Sequence, residues 1–384
     1  MLTTLISFIA YACIVPAAAH VANVAEREWY SQCTPSGGTS PPPPSAPPPA
    51  SGSSACLASA DGFSSLNGGT TGGAGGTTVT VTNQSDLDKY ASASGRHVIK
   101  VQGRITITPF GKEVRVSSDK TIVGIGSTGQ IYQGGFAIHG VRNVIIRNLK
   151  IGNTPMTTEN DYDGIQSDTT SNIWIDHCQF QFRIRLPFTD IIAVGLLENG
   201  GDGLLILRKD TTFFTVSNNI FRNHDKAFGI GKLRDIKIVI FMMSSCSPVF
   251  AGWTENVVAR GTIHHNWFDR TNQRNPSADN LAQCHLYNNY VLGVTSYGHY
   301  ARGSTNARVE NVYFESCRNP LTKDSGAILN ASGNIYQSCT GTVAANSGTA
   351  FQPRDYYSCT LTATADVPSH VKANAGPRAS VCPS

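Results

Sequence analysis

The chain has 384 residues, 40% of them hydrophobic and only 15% charged, with 37 glycines. That mixture suits a large all-β protein and argues against a helical bundle or a disordered chain. The formal net charge of +4 mildly favours an anionic partner, but the Lys and Arg residues are scattered rather than gathered into a groove, so no nucleic acid is expected.

The first residues, 1–19, carry an apolar run from Leu5 to Val15 and then Pro16-Ala17-Ala18-Ala19, the small-residue ending of a secretory signal peptide. Cleavage is expected near His20, giving a secreted, extracellular protein. No later apolar stretch is long and clean enough to span a bilayer, so no membrane is expected. Residues 20–33 end in Glu28-Trp29-Tyr30-Ser31-Gln32-Cys33, which resembles the closing strand of a fungal-type cellulose-binding module with the rest of the module missing. Residues 34–55 are rich in Pro, Ser and Gly and read as an extended linker. After loss of Cys13, the cysteines Cys33, Cys56, Cys178, Cys246, Cys284, Cys317, Cys339, Cys359 and Cys382 remain. Their density suits an oxidising compartment, and their odd number leaves at least one unpaired.

From Cys56 onward a short phrase recurs, until a tail from Thr340 that lacks it. It appears as Asn143 to Ile151, Asn172 to Phe180, Phe213 to Phe221, Gly261 to Phe268, Cys284 to Val291 and Arg308 to Phe314. Alternation with period two marks strands. In the column Asn148, His177, Asn218, His265, Asn288, Asn311, the last two steps are both 23 residues, one coil of a β-solenoid. Stacked coils would set these side chains above one another as a ladder. His177, His264, His265 and His285 fit ladder or turn-packing places better than a zinc site. Two longer steps hold apolar inserts, 183–201 and 232–252, that read as translated intron sequence or as elements covering the solenoid.

Asp161 and Asp163 lie two apart, so an extended backbone turns both carboxylates to one face, where they could grip a hard cation through oxygen. Asp176 falls inside the strand-end phrase and is expected to be structural. Gly68 to Gly76 lacks the Lys-Ser/Thr ending of a phosphate loop and reads as turn structure.

Several phrases, in their shared order, resemble polysaccharide lyase family one, the pectate and pectin lyases. They are Asp61-Gly-Phe, Gly72 to Gly76, Val98 to Gly103, Lys120 to Gly126, Asn143 to Leu149 and Ile173 to His177. The resemblance covers most of residues 56–340. It implies a right-handed parallel β-helix, a single-stranded solenoid with loop insertions, that cuts polygalacturonate by β-elimination with Ca2+. By motif position it implies Asp161, Asp163 and Asp202 as metal ligands, Lys226 as a contact to a substrate carboxylate, and Arg274 as the base over C5. Free arginine stays protonated far above neutral pH, so that role requires neighbouring cations and exclusion of water. Two positions depart from the family pattern: Ile206 stands where a further acid is usual, and Asp279 where a second arginine is. Arg302, from a neighbouring coil, could replace that arginine. The chain is expected to act on pectin as a monomer. A pectin lyase using methyl-esterified chains, a hydrolase with paired carboxylates, and a wall-binding β-helix without activity are the competing readings.

Overall fold

The computed structural model describes residues 56–153, 162–181, 203–231 and 256–384. Residues 1–55, both inserts, Asp161 and Asp202 lie outside the described residues. The chain winds through three sheets in turn, so that each sheet gains one strand per coil. A ten-stranded sheet runs from Thr77–Val81 to Ile328–Ser332, a nine-stranded one from Arg104–Thr106 to Ile335–Gln337, and an eight-stranded one from Glu113–Arg115 to Leu321–Lys323. Paired strands are parallel throughout. This is the expected right-handed parallel β-helix.

Strict register makes the core. Ile99, Ile122, Ile146, Ile175, Val216, Ile263, Leu286 and Val309 sit on successive strands of the ten-stranded sheet, directly in line, and all are buried. Branched aliphatic side chains suit this place because they pack along a pleated surface with little rotamer freedom to lose. In the nine-stranded sheet the inward line changes to aromatics: Phe180, Phe221 and Phe268 stack with ring centroids 5.0 and 4.9 Å apart.

The asparagine and histidine column forms the expected ladder in one step, Asn288 Nδ2 to His265 Nε2 at 3.1 Å, and it has a second task. Asn148, His177, Asn218, His265, Asn288 and Asn311 all have φ between 50 and 58°, the left-handed backbone of a tight corner, which Asn and His tolerate better than branched residues. Turning the chain there points the next residue inward, and that residue builds a longer ladder. Asn219 Nδ2 donates to Asn266 Oδ1 at 3.0 Å, and Asn266 Nδ2 to Asn289 Oδ1 at 3.0 Å.

Asp176 is structural as expected: it is fully buried, takes Arg147 Nε at 2.6 Å and His177 Nδ1 at 2.7 Å, and accepts from Ser217 and Asn218. Burial works against its charge, but these partners hold its carboxyl below the ordinary range. The glycine-rich run is turn structure. A Cβ on Gly73 would meet the His97 carbonyl oxygen at 1.9 Å, so only glycine lets this turn lie against the sheet.

Helix Gln84–Ser92 covers the N-terminal end, with Asn83 capping it through the backbone amide of Asp86 at 2.9 Å. At the other end the tail returns along the solenoid. Tyr357 packs against Phe63, its hydroxyl meeting Thr262 and His285 at 2.8 Å each. Helix Val367–Asn374 then lies on the outer face of the nine-stranded sheet, against Ile220, Trp267 and Tyr290. Cys382 closes a disulfide with Cys56. Cys178, Cys284, Cys317, Cys339 and Cys359 are free, while Cys33 and Cys246 lie outside the described residues.

Candidate functional site

The corner between the nine-stranded and eight-stranded sheets gathers the candidate residues. Each coil presents there the short segment that leads into its next strand, and backbone bonds tie these segments one above another. Gly203 N donates to Asp163 Oδ1 at 2.6 Å. Leu204 N donates to the Lys226 carbonyl at 3.1 Å, Ala227 N to that of Gln273 at 3.1 Å, Phe228 N to that of Arg274 at 2.8 Å and Asn275 N to that of Gly298 at 3.1 Å. Asp163, Gly203, Lys226, Arg274 and Tyr297 therefore occupy consecutive coils along one edge. With strands about 4.8 Å apart, Lys226 and Arg274 are neighbours, and Asp163 is three steps, about 14 Å, from Arg274.

Arg274 is only 8% exposed and has a φ of 61°, a conformation that a non-glycine residue holds only where its surroundings enforce it. Those surroundings are specific. Asn272 Nδ2 and Gln273 Nε2, on the same turn, donate to Asp225 Oδ1 at 2.5 and 3.2 Å. Thr271 Oγ1 bonds Asn275 Oδ1 at 2.6 Å just before the cis Asn275–Pro276 bond. The phenol of Tyr297 lies beside Arg274, Ser277 and Arg302; burial raises its pKa despite the two cations.

His224 is buried beneath Lys226, whose backbone N–H donates to its Nδ1 at 3.1 Å. Burial, with the charges of Lys226 and Arg274 beside it, lowers its pKa to about 4. The imidazole is thus neutral at physiological pH and adds no charge to this corner.

Arg302 stands one coil beyond Arg274, in strand His299–Arg302, with its guanidinium 5.0 Å over the Tyr300 ring. It pairs in register with Asp279. The structure therefore brings Lys226, Arg274 and Arg302 to successive coils, and Tyr297 lies near both arginines. Asp163 is fully buried beside Gly203, and Glu113 Oε1 accepts from its backbone N–H at 3.3 Å. Ile206 lies on the outer face of the eight-stranded sheet between Gln166 and Gly229, 1% exposed, and offers no oxygen there. Among the described residues, no group of three or more His, Cys, Asp or Glu is placed to hold a metal ion.

A family sequence model described as pectate lyase matches residues 50–380. The chain belongs to the pectate lyase family. It is 32% identical over 308 residues to a pectate trisaccharide-lyase of Bacillus licheniformis, across 78% of this chain and 80% of that protein. A pectate trisaccharide-lyase of Thermotoga sp. is 33% identical over 222 residues, and the chain spans about half of that relative, 52%. In fold it is similar to a Bacillus sp. N165 pectate lyase solved with trigalacturonate, with a TM-score of 0.66 at 24% identity over 83% of this chain and 98% of that one. A similar likeness, TM-score 0.65 at 24% identity over 84% and 99%, is found with pectate lyase II of Xanthomonas campestris.

For a pectate lyase family member, the sequence motifs located the edge but not its supports. Tyr297 lies in Thr295-Ser-Tyr297-Gly298, outside every phrase that signals a coil, and its only mark is an aromatic in a polar turn. Glu113 and Asp163 are 50 residues apart, a separation that hides their contact from any local pattern.

Proposed function

We propose that this chain is a secreted pectate lyase that cleaves the α-1,4-galacturonan backbone of pectin by β-elimination, leaving unsaturated oligogalacturonides. The observation that carries the reading is the cationic corner in which Lys226 and Arg274 stand on consecutive coils, with Tyr297 and, at the far end of its strand, Arg302 on the next. Such a row matches a polymer that bears one carboxylate per sugar.

The hydrogen on C5 lies α to a carboxylate, a weak acid because ionisation adds charge to an anion. Lys226 is placed to hold a uronate carboxylate as a point charge. Arg274, fixed by its turn and lying beside Tyr297, takes the C5 proton on a guanidine nitrogen; the C–H electrons form the C4–C5 double bond, and O4 leaves with its glycosidic bond pair. Arg302 adds positive charge near the developing enediolate. Asp163 presents hard carboxylate oxygen, chemistry that fits Ca2+, and Asp161 and Asp202 are the carboxylates that would join it. Bound there, the ion supplies Lewis-acid neutralisation of the uronate charge.

The test is ultraviolet absorbance of unsaturated ends released from polygalacturonate, with and without calcium, for the parent and Arg274→Ala. Product that depends on both is expected. Saturated ends, or no cleavage, would overturn the lyase reading. Ile206 favours a second one, in which methyl-esterified pectin is cut without calcium; faster cleavage of esterified substrate in excess chelator would select it.

A further inference from the structure

Away from the cationic edge, the outer face of the nine-stranded sheet carries a cleft of about 410 Å³ over its first strands, Arg104–Thr106, Gln130–Tyr132, Lys150–Gly152 and Gln179–Gln181. Among the described residues its lining holds two cations, Arg104 and Lys150, one phenol ring, Tyr132, and a set of side-chain amides, with no Asp or Glu. Arg104 lies 4.7 Å over the Tyr132 ring, so its guanidinium is held over the cleft by a cation–π contact rather than spent on a carboxylate. Gln179 Nε2 donates to Gln181 Oε1 at 2.9 Å, fixing both amides along one wall. Gly152 forms the floor, where a Cβ would meet the Gln181 carbonyl oxygen at 1.9 Å.

We propose that this cleft is an accessory subsite for further uronate units of the same acidic polymer, on the Asp163 side of the cationic edge. This rests on the galacturonan reading above. Each feature has a counterpart in such a ligand: cations for the carboxylate, a ring face for the apolar face of a pyranose, and amides for hydroxyl groups. Continuity supports it as well. The cleft and the edge belong to the same coils, because Lys150–Gly152 leads toward Asp163 and Gln179–Gln181 pairs with Ile220–Arg222, which leads to Lys226. From strand Lys150–Gly152 to strand Trp267–Asp269, which precedes Arg274, there are three steps, about 14 Å. Only a chain of several units could occupy both places. Helix Val367–Asn374 covers Ile220, Trp267 and Tyr290 on the later coils of this sheet, beyond the cleft strands.

The consequence is chain-length dependence, read by calorimetric titration of saturated trigalacturonate and octagalacturonate. An Arg274→Ala background keeps the ligands intact. Adding Arg104→Ala and Lys150→Ala should weaken octamer binding about tenfold, the loss expected of two charge-assisted contacts, and leave trimer binding within about twofold. A fully methyl-esterified octamer should not distinguish the proteins. Thermal melting checks the fold, and Tyr132→Ala, which leaves both charges, should cost the octamer severalfold. Unchanged octamer affinity in a lyase-active protein overturns the subsite alone, as does an equal loss for both lengths. A parent that makes no unsaturated product, while its variant still shows the length-dependent loss, overturns the lyase reading alone.

Discussion

Tyr297→Phe tests the support of Arg274 by removing a single oxygen. The ring stays, so the packing of Tyr297 against Tyr300, with centroids 5.4 Å apart, is kept. What goes is the phenol oxygen beside Arg274 and Ser277. A hydrogen bond to a charged group contributes about 1.5–3 kcal/mol, so if the phenol and Arg274 bond in the transition state, kcat should fall about 10–150-fold. KM should stay within about twofold, because Lys226 and the cleft are untouched. Initial rates of unsaturated-product formation on polygalacturonate give both constants. The control is the same change in Arg274→Ala, where little further loss is expected if Tyr297 acts through that arginine. An unchanged kcat, or an equal fall in both backgrounds, would refute the reasoning.

Three further outcomes follow from the solenoid. Phe221→Ala opens a hole between Phe180 and Phe268 and should cost about 3–5 kcal/mol, seen as a lower denaturant midpoint at constant m-value; a cost under about 1 kcal/mol would contradict the stacked core. Asn266→Ala removes bonds to Asn219, Asn289 and the Val216 carbonyl. A loss of about 2–4 kcal/mol is expected because buried partners are left unsatisfied, and a near-neutral effect in the same measurement would argue against the ladder. His224 and His299, both buried, have pKa values lowered from 6.5 to about 4 mainly by burial. Between those values the unfolded chain binds the protons, so the stability is present in full above pH 6.5 and is lost as pH falls toward 4. At pH 5 each imidazole should account for about 2 kcal/mol, and a melting temperature flat from pH 7 to 5 would exclude this.

Coiling was legible because it is periodic: the 23-residue step from His265 to Asn288 to Asn311 is one turn of the structure. The corner asparagines were visible for the same reason. Their ladder was only partly placed: His265 and Asn288 bond along the stack, but a longer ladder lies one residue on, since spacing reveals a repeat and not which neighbour points inward; φ decides that. Lys226 and Arg274 were readable from local motifs. Tyr297 and Glu113 were not, because a contact between distant coils leaves no periodic trace. Nor does the cleft of Arg104, Tyr132 and Lys150, whose members belong to three different strands. The tail after Thr340 repeats no phrase because it covers the solenoid rather than extending it.

Joining Cys56 to Cys382 links positions 326 residues apart. A stack of repeats ordinarily unzips from whichever extremity is looser, because every rung touches only its neighbours. Here the two extremities share one knot, and shortening so long a loop in the denatured chain is worth about 5–6 kcal/mol in the chain-entropy picture. Peeling of the final segment, with its helix lying on the nine-stranded sheet, is thereby tied to melting at the opposite pole. A protein built as a line thus acquires something of the cooperativity of a ring.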